Sequence, residues 1–432
     1  MIVHRLIIEN FGPINNCEIE VDDFSVFTGP QASGKSTIAK TIFFFRTIKN
    51  DLYEIIVRRI YHPEIDEEKT VDSLYNLINK RLRSKFIQLF GSSKEMSKDM
   101  RLKYYFSDKT SVELTLGERS NRVAEYNYHN FIWLRFSPNI REFIDSRSSG
   151  FDVDLLKSEL SVLFCDKYET IFVPAGRSMI TTLTTQLNYF FAVMDNDQRS
   201  SLDYCTQKYI ELIFKIRPLL SEGVEGYWQT KQFTEPNSDN LSFIKRFIKF
   251  GNMILKGKYI YADNEERLII DNGDSVKINY ISSGQQEYVW ILNILAYQII
   301  NKVKTFLIIE EPEAHLYPDA QKGITELLSM FRSFGNGTLI TTHSPYVLGS
   351  MNNMLFASQI MEEKPDSSKK VFSVIEKDKV LEKCPAYNIK NGDLSPCMAE
   401  DGLIANEVID GASSDINDAY DSLFSISKGM EE

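Results

Sequence analysis

The chain has 432 residues, 43% hydrophobic and 25% charged, with 28 Phe and 21 Tyr, which excludes bulk disorder and allows a large core or two to three domains. A formal net charge of −11 excludes a generally basic coat for nucleic acid and leaves only local contact open. Scattered cysteines without a CxxC spacing (Cys17, Cys165, Cys205, Cys384, Cys397), no secretory segment, and no apolar run near the ~20 residues of a membrane span point to a reduced, cytoplasmic protein without membrane contact.

The opening "MIVHRLIIENFGPINNCEIEVDDFSVFTGP" alternates apolar and polar residues in two runs broken at Asn10 to Pro13, so it predicts a hairpin followed by the apolar strand "FSVFTG". A glycine-bearing loop comes next, and from Ser36 "STIAKTIFFFRTI" changes to helical period. Charged, helix-like pieces fill about 50 to 160, with one hairpin around "KYYFSDKTSVELTLG". After the strand "TIFVPAG", helical pattern runs from about 182 to 256, and "KGKYIYADNEERLIIDNGDSVKINY" predicts further strands with an Asn-Gly turn. A helix start at "NYISSGQQEYVW", the strand "KTFLIIEE", a helix from Pro318, the strand "GTLITTHS" and another helix follow, the alternation of a parallel α/β sheet. From about 366 the pattern is one or two strands and a short acidic helix.

Three stretches carry chemistry. "GPQASGKST", comprising Gly29, Pro30, Gln31, Ala32, Ser33, Gly34, Lys35, Ser36 and Thr37, fits G-x-x-x-x-G-K-[ST] between a strand and a helix. Backbone N–H groups and the helix N-terminus would surround the phosphates of ATP, Lys35 would reach the β- and γ-phosphates, and the Ser36 hydroxyl would ligate Mg²⁺. "FLIIEEPEAHLYP" puts Glu310 and Glu311 at the end of an apolar strand, where a parallel sheet binds ligands. Glu310 suits the Mg²⁺ shell, though Asp is commoner there, and Glu311 suits the base that orients the attacking water. "LITTHSPYVL" ends a further strand in His343, placed to hydrogen-bond a γ-phosphate.

In the order P-loop, "ISSGQ", "IIEEPEAHL" and "TTHS", the chain resembles ABC-type ATPases of the branch containing SMC, RecF and the overcoming-lysogenization-defect proteins. Within it, the chain is similar to compact ATPase subunits of bacterial anti-phage systems such as Septu and PARIS. The resemblance implies an α/β fold, an ABC-type P-loop ATPase head with a mixed β lobe and a parallel-sheet lobe, interrupted by helical insertions. It divides the chain into 1–50 (head with P-loop), 51–160 (helical and β insertion), 161–180 (return strand), 181–257 (helical insertion), 258–365 (head with signature, paired acids and switch histidine) and 366–432 (a tail that completes the head or docks a partner). Ser282, Ser283, Gly284 and Gln285 match the signature loop, with Ser283 where glycine is more usual. Glu313 to His315 match the loop that crosses to a partner, and Arg177 or Ser178 stands where a glutamine is usual.

Because one P-loop and one signature occur, the resemblance implies a head-to-head homodimer with two composite ATP sites, leaving a higher oligomer open. Hydrolysis of ATP to ADP and phosphate would then act as a switch on a separate effector such as a nuclease; the competing reading is an SMC/RecF-like DNA-processing ATPase. The insertions lack sustained heptads. Their basic clusters, Asn79 to Lys85 and Ile244 to Lys258, read as solvated helix faces, with DNA or RNA contact or an acidic partner as alternatives. No D-x-D pair follows His343; Asp415, Asp418 and Asp421 read as a solvated helical face, and Asp152/Asp154 and Asp195/Asp197 lack catalytic context.

Overall fold

The computed structural model describes residues 4–61, 73–117, 132–146, 153–183, 203–234 and 240–405, with 408–409 and 420. Asp152, Asp195, Asp197, Asp415, Asp418 and Asp421 lie outside the described residues, as does the side chain of Asp154. The predicted opening hairpin is β1 (His4–Phe11) and β2 (Ile14–Val21), and β3 (Phe24–Thr28) leads into the glycine loop and α1 (Lys35–Arg46). Helices α2 (Ile48–Tyr61) and α3 (Leu74–Phe90) precede the predicted hairpin β4 (Arg101–Tyr105) and β5 (Ser111–Leu116). The strand β6 (Ile132–Phe136) was not anticipated; α4 (Pro138–Ser146), α5 (Val153–Leu163) and β7 (Glu169–Val173) follow it. Then come α6 (Tyr204–Ile216), α7 (Gly223–Thr234), α8 (Leu241–Leu255) and a separate three-stranded sheet of β8 (Lys258–Ala262), β9 (Glu265–Ile269) and β10 (Ser275–Lys277). The C-terminal part supplies α9 (Ser283–Ile300), β11 (Thr305–Glu310), α10 (Pro318–Ser333), β12 (Gly337–Thr341), α11 (Pro345–Glu363), β13 (Ala386–Lys390) and β14 (Asp393–Pro396).

Among the described residues the main sheet has eleven strands in the order β6-β5-β4-β1-β2-β14-β13-β3-β12-β11-β7. From β6 to β2 every pairing is antiparallel, whereas β13, β3, β12, β11 and β7 run parallel. These two blocks are the mixed lobe and the parallel lobe expected of an ABC-type P-loop ATPase head. Strands of the 51–160 segment continue the sheet through the β1–β4 pairing, with Leu6 opposite Tyr104. The tail enters the middle of the sheet: β13 pairs parallel with β3, Asn388 opposite Thr28, and β14 reaches β2 at Asn16.

Alternation along the parallel strands feeds two apolar clusters, one on each face. Phe27, Phe306, Ile308 and Leu339 join the cluster built with α1 to α5, while Val26, Leu307, Ile309 and Ile340 join the one built with α8 to α11. Both faces being covered, β11 and β12 are buried along their whole length. No helix among the described residues is long and apolar enough to cross a membrane.

Of the two basic clusters, Asn79 to Lys85 is not a free basic face. Lys85 is fully buried and ion-paired with Asp51, Arg81 pairs with Asp51 and Glu54, and Asn79 is buried too. Burial pushes the Lys85 ammonium downward in pKa, and Asp51 opposes that. In α8, by contrast, Lys245 and Lys249 are exposed, as is Lys256 just past its end, while Ile244, Phe247 and Ile248 fill the core.

A second buried polar cluster closes the sheet end away from the glycine loop. His4 meets the Tyr104 hydroxyl at 3.0 Å and Arg46 Nη1 at 3.1 Å through Nδ1, and the Cys165 carbonyl at 3.3 Å through Nε2. Arg46 in turn donates to Asp166 at 2.9 Å. Burial first, then the Arg46 charge, lowers the His4 pKa from 6.5 to about 4. A histidine kept neutral in the fold takes up its proton more readily when unfolded, so its contribution is present above pH 6.5 and lost as pH falls toward 4. That loss is on the order of 3 kcal/mol. Urea unfolding of the wild type and His4→Asn at pH 7 and pH 4.5 should therefore show a gap in stability that narrows in acid; an unchanged gap would refute the assignment.

Candidate active site

The loop between β3 and α1 has the backbone of an anion cradle. Gly29, Ala32 and Gly34 have φ of 138°, 60° and 108°, and Gly34 is the N-cap of α1 without any side-chain cap, which leaves the first-turn N–H groups for a ligand. Two of the glycines also answer to packing. A Cβ at Gly29 would stand 2.2 Å from the Ile389 carbonyl oxygen on β13, and one at Gly34 would stand 2.4 Å from Ile14 Cδ1. Gln31 and Ser36 are exposed, Ser33 is buried and Thr37 half-buried, with its carbonyl accepting from Thr41. Lys35 is 6% exposed and donates to the carbonyls of Gly29 (3.0 Å) and Pro30 (2.8 Å) and to Ser33 Oγ (3.5 Å). Burial lowers its pKa, and the charges of Glu311 and Glu313 act against that.

β11 and β12 flank each other beside β3, so their C-terminal ends open onto the same edge as the loop. Glu310, 6% exposed, accepts from the Ala175 N–H at 3.3 Å through Oε2, while its buried Oε1 has no hydrogen-bond partner. An orphaned carboxylate oxygen on a strand end, with the Ser36 hydroxyl at the head of α1, fits a hard cation that brings waters and substrate phosphates to complete its shell. Among the described residues no cluster of three or more His, Cys, Asp or Glu forms an all-protein cage. The fit is thus to Mg²⁺ carried by a nucleotide.

Glu311 has a left-handed backbone, φ 43°, which costs about 1–3 kcal/mol for a side-chain-bearing residue. Its N–H donates to the Thr341 carbonyl at 2.8 Å, and its own carbonyl accepts from Arg177 Nη2 at 2.8 Å. The twist brings the carboxylate out of the strand, 41% exposed, with Oε1 3.5 Å from His343 Nε2. An acid able to take a proton from water therefore stands beside the imidazole, at the edge where Lys35 would meet a γ-phosphate.

Ser282 caps α9 in a capping box: its Oγ accepts the Gln285 N–H at 3.3 Å, and Gln285 Oε1 accepts the Ser282 N–H at 3.2 Å. Gln285 Nε2 donates to the Leu255 carbonyl at 2.9 Å, so its amide is committed within the chain. Ser282 and Ser283 are exposed. Gly284 is buried, and a Cβ there would stand 2.7 Å from the His315 carbonyl oxygen, so the signature start packs on the loop after the paired acids. Among the described residues no hydrogen bond joins 282–285 to 29–37. The structure thus gathers Lys35, Glu310, Glu311 and His343 at one edge.

Two further groups are central to this edge. Arg177, completely buried, donates through Nη1 to the carbonyls of Pro174 (2.7 Å) and Glu310 (2.6 Å), and through Nη2 to that of Glu311. Its charge is balanced by Glu287 of α9, Nε to Oε2 3.0 Å, and the same carboxylate accepts the N–H groups of Arg177 and Ser178 at the head of helical residues 177–183. Arg177 is therefore spent on carbonyls and does not reach toward the nucleotide as a glutamine at that place would. Glu313, 9% exposed, accepts from Thr342 Oγ1 at 2.6 Å and from the His343 N–H at 2.9 Å.

The sequence profile described as AAA ATPase domain matches residues 1–348. No curated protein matches the chain. Solved structures similar to it include the SMC head domain from Thermotoga maritima, 12% identical, covering 93% of this chain and 100% of that one with a TM-score of 0.37. The Smc head with an extended coiled coil derived from Pyrococcus furiosus, bound to the C-terminal domain of ScpA, is 12% identical, with 91% and 95% covered and a TM-score of 0.40. For the Smc head with a coiled coil and joint derived from Pyrococcus yayanosii the values are 11%, 95%, 99% and 0.41. The matched span contains the phosphate loop, the signature, the paired acids and His343, and the chain belongs to the AAA ATPase domain family.

Proposed function

We propose that the chain binds and hydrolyses ATP as a head-to-head homodimer and that this cycle switches a separate effector, a nuclease, in bacterial anti-phage defence. The observation that carries the reading is the pairing of Glu311 with His343 at 3.5 Å on the edge that holds Lys35. Lys35 exchanges its loop carbonyls for the β- and γ-phosphates, and the N–H groups at the head of α1 hold the phosphate oxygens. Ser36 and Glu310 would hold Mg²⁺, which would supply charge neutralisation at the phosphates. Glu311 orients water and takes its proton, and His343 holds the γ-phosphate in line. Ser282 and the Gly284 N–H complete the site of the other subunit. Tyr280, Tyr317 at the head of α10 and Tyr346 in the first turn of α11 are exposed and suit burial against a second copy. Defence is favoured by the motif order and by compact insertions in place of long arms, and the reading puts the protein in the cytoplasm with its thiols free.

The exposed lysines of α8 keep a second reading, a DNA-clamping ATPase of the repair type. Co-expression with the product of the adjacent gene separates the two. Stable co-elution with a nuclease and no stimulation of hydrolysis by DNA supports the switch; DNA-stimulated hydrolysis without a partner supports repair.

Lys35→Ala should weaken ATP binding about 10–100-fold, the loss of a charged contact to phosphate, as read by fluorescent-nucleotide titration. Glu311→Gln should retain binding, lower kcat about 10²–10⁴-fold and accumulate as a dimer with ATP in analytical ultracentrifugation. Turnover equal to wild type would remove Glu311 as the base, and a monomer under those conditions would sink the composite site.

A further inference from the structure

The switch loop, residues 342–344, is braced from the loop that follows the paired acids. Glu313 Oε1 accepts both the Thr342 hydroxyl and the His343 N–H, and Thr342 Oγ1 in turn accepts the Ser344 N–H at 3.0 Å. A second brace comes from α10, where Gln321 accepts the Ser344 hydroxyl at 2.5 Å and donates to the Leu316 carbonyl at 2.8 Å. The two braces differ in kind. Gln321 is a neutral amide satisfied at both ends, whereas Glu313 is an acid, 9% exposed, whose Oε2 is buried without a hydrogen-bond partner.

Leaving a buried carboxylate oxygen unmet costs about 1–3 kcal/mol or more, so a serine or glutamine would be the cheaper tie for a loop of no further consequence. Two observations locate what the acid serves. Its charge, with that of Glu311, acts on Lys35, which puts Glu313 on the phosphate side of the loop. The N–H it holds belongs to His343, whose ring is the group 3.5 Å from Glu311. No other described hydrogen bond is made by the His343 N–H; beside it the Thr342 N–H donates to the Phe27 carbonyl at 2.9 Å, β12 ends at Thr341, and α11 begins at Pro345 with Ser344 as its N-cap.

We propose that Glu313 is a positioning residue for hydrolysis: it sets the backbone of His343 so that the imidazole stands over Glu311 and the γ-phosphate. This rests on the ATPase reading above, and the test separates the two. Glu313 touches no reacting atom, so its removal acts through His343. Because Gln321 still holds Ser344, the fold survives the loss.

The experiment uses the full chain as wild type, Glu313→Ala and Glu313→Gln, the last of which retains an acceptor for Thr342 and His343. Hydrogen–deuterium exchange of the peptide spanning 341–346 should speed up in Glu313→Ala and stay near wild type in Glu313→Gln. Steady-state hydrolysis should fall about 10–100-fold in kcat for Glu313→Ala, the scale of a displaced catalytic group, with KM within about threefold, and should recover to within about fivefold in Glu313→Gln. Unchanged exchange in Glu313→Ala, unchanged kcat despite faster exchange, or equal losses in both variants would overturn the proposal. If the wild type itself hydrolyses no ATP, the ATPase reading falls, while the exchange comparison still decides whether Glu313 holds the switch loop.

Discussion

The guanidinium of Arg177 is the contact on which the candidate site depends. A fully buried arginine is tolerated where most of its donors are met and its charge is balanced, and here three carbonyls take the two terminal nitrogens while Glu287 balances the charge. Two of the carbonyls belong to Glu310 and Glu311 at the end of β11 and the third to Pro174 just past β7, and Glu287 belongs to the first turns of α9. One side chain thus ties the strand that carries the acids to the helix that carries the signature. Breaking such a pair strands a buried charge and costs about 3–5 kcal/mol, far more than the strain of the left-handed Glu311 that it holds. The energetic margin lies in the scaffold, so an uncommon backbone can persist at the acid.

The same division recurs around the phosphate loop. Ile14 from β2 crowds Gly34, and Ile389 from β13 crowds Gly29. The loop is therefore shaped from outside by strands at opposite ends of the chain, and both glycines have φ values that other residues avoid. A tail hairpin inserted between β2 and β3 joins the antiparallel block to the parallel one. Its turn, Asn391-Gly392 with φ of 55° and 85°, is anchored by the Gly392 carbonyl, which accepts the Asn15 N–H at 2.9 Å. Residues beyond the switch histidine are thus part of the frame that positions Lys35.

Two acids at the sheet edge each keep one carboxylate oxygen unmet. Glu310 Oε1 and Glu313 Oε2 are buried without hydrogen-bond partners, while the equally buried Asp166 and Asp51 are paired with Arg46 and Lys85. Structural acids in this molecule are neutralised by the protein itself. The acids at the sheet edge keep capacity for a cation, for water and for a neighbouring lysine, at some expense in stability.

Much of the fold was legible because it rests on local rules. The strand–glycine loop–helix unit, the apolar runs ending in Glu311 and His343, and the capping box of Ser282 and Gln285 all follow from spacing that any single stretch displays. The Asn-Gly turn at 272–273 was read correctly, while Asp263-Asn264, both at positive φ, and Asn391-Gly392 were equally readable and passed over. What the order of residues could not supply is which distant groups meet. Motif order singles out Arg177 without telling that Glu287 is its partner, β6 joins the sheet by pairing with β5, and the tail finds its place between β2 and β3. Lys85 looked like part of a solvated basic face and is buried on Asp51, because helical period tells which residues share a face and not what covers it. The sequence by itself determined the elements and the chemistry at their ends. Only the tertiary structure decided the partners of each buried charge, since pairing depends on contacts between segments far apart in the chain.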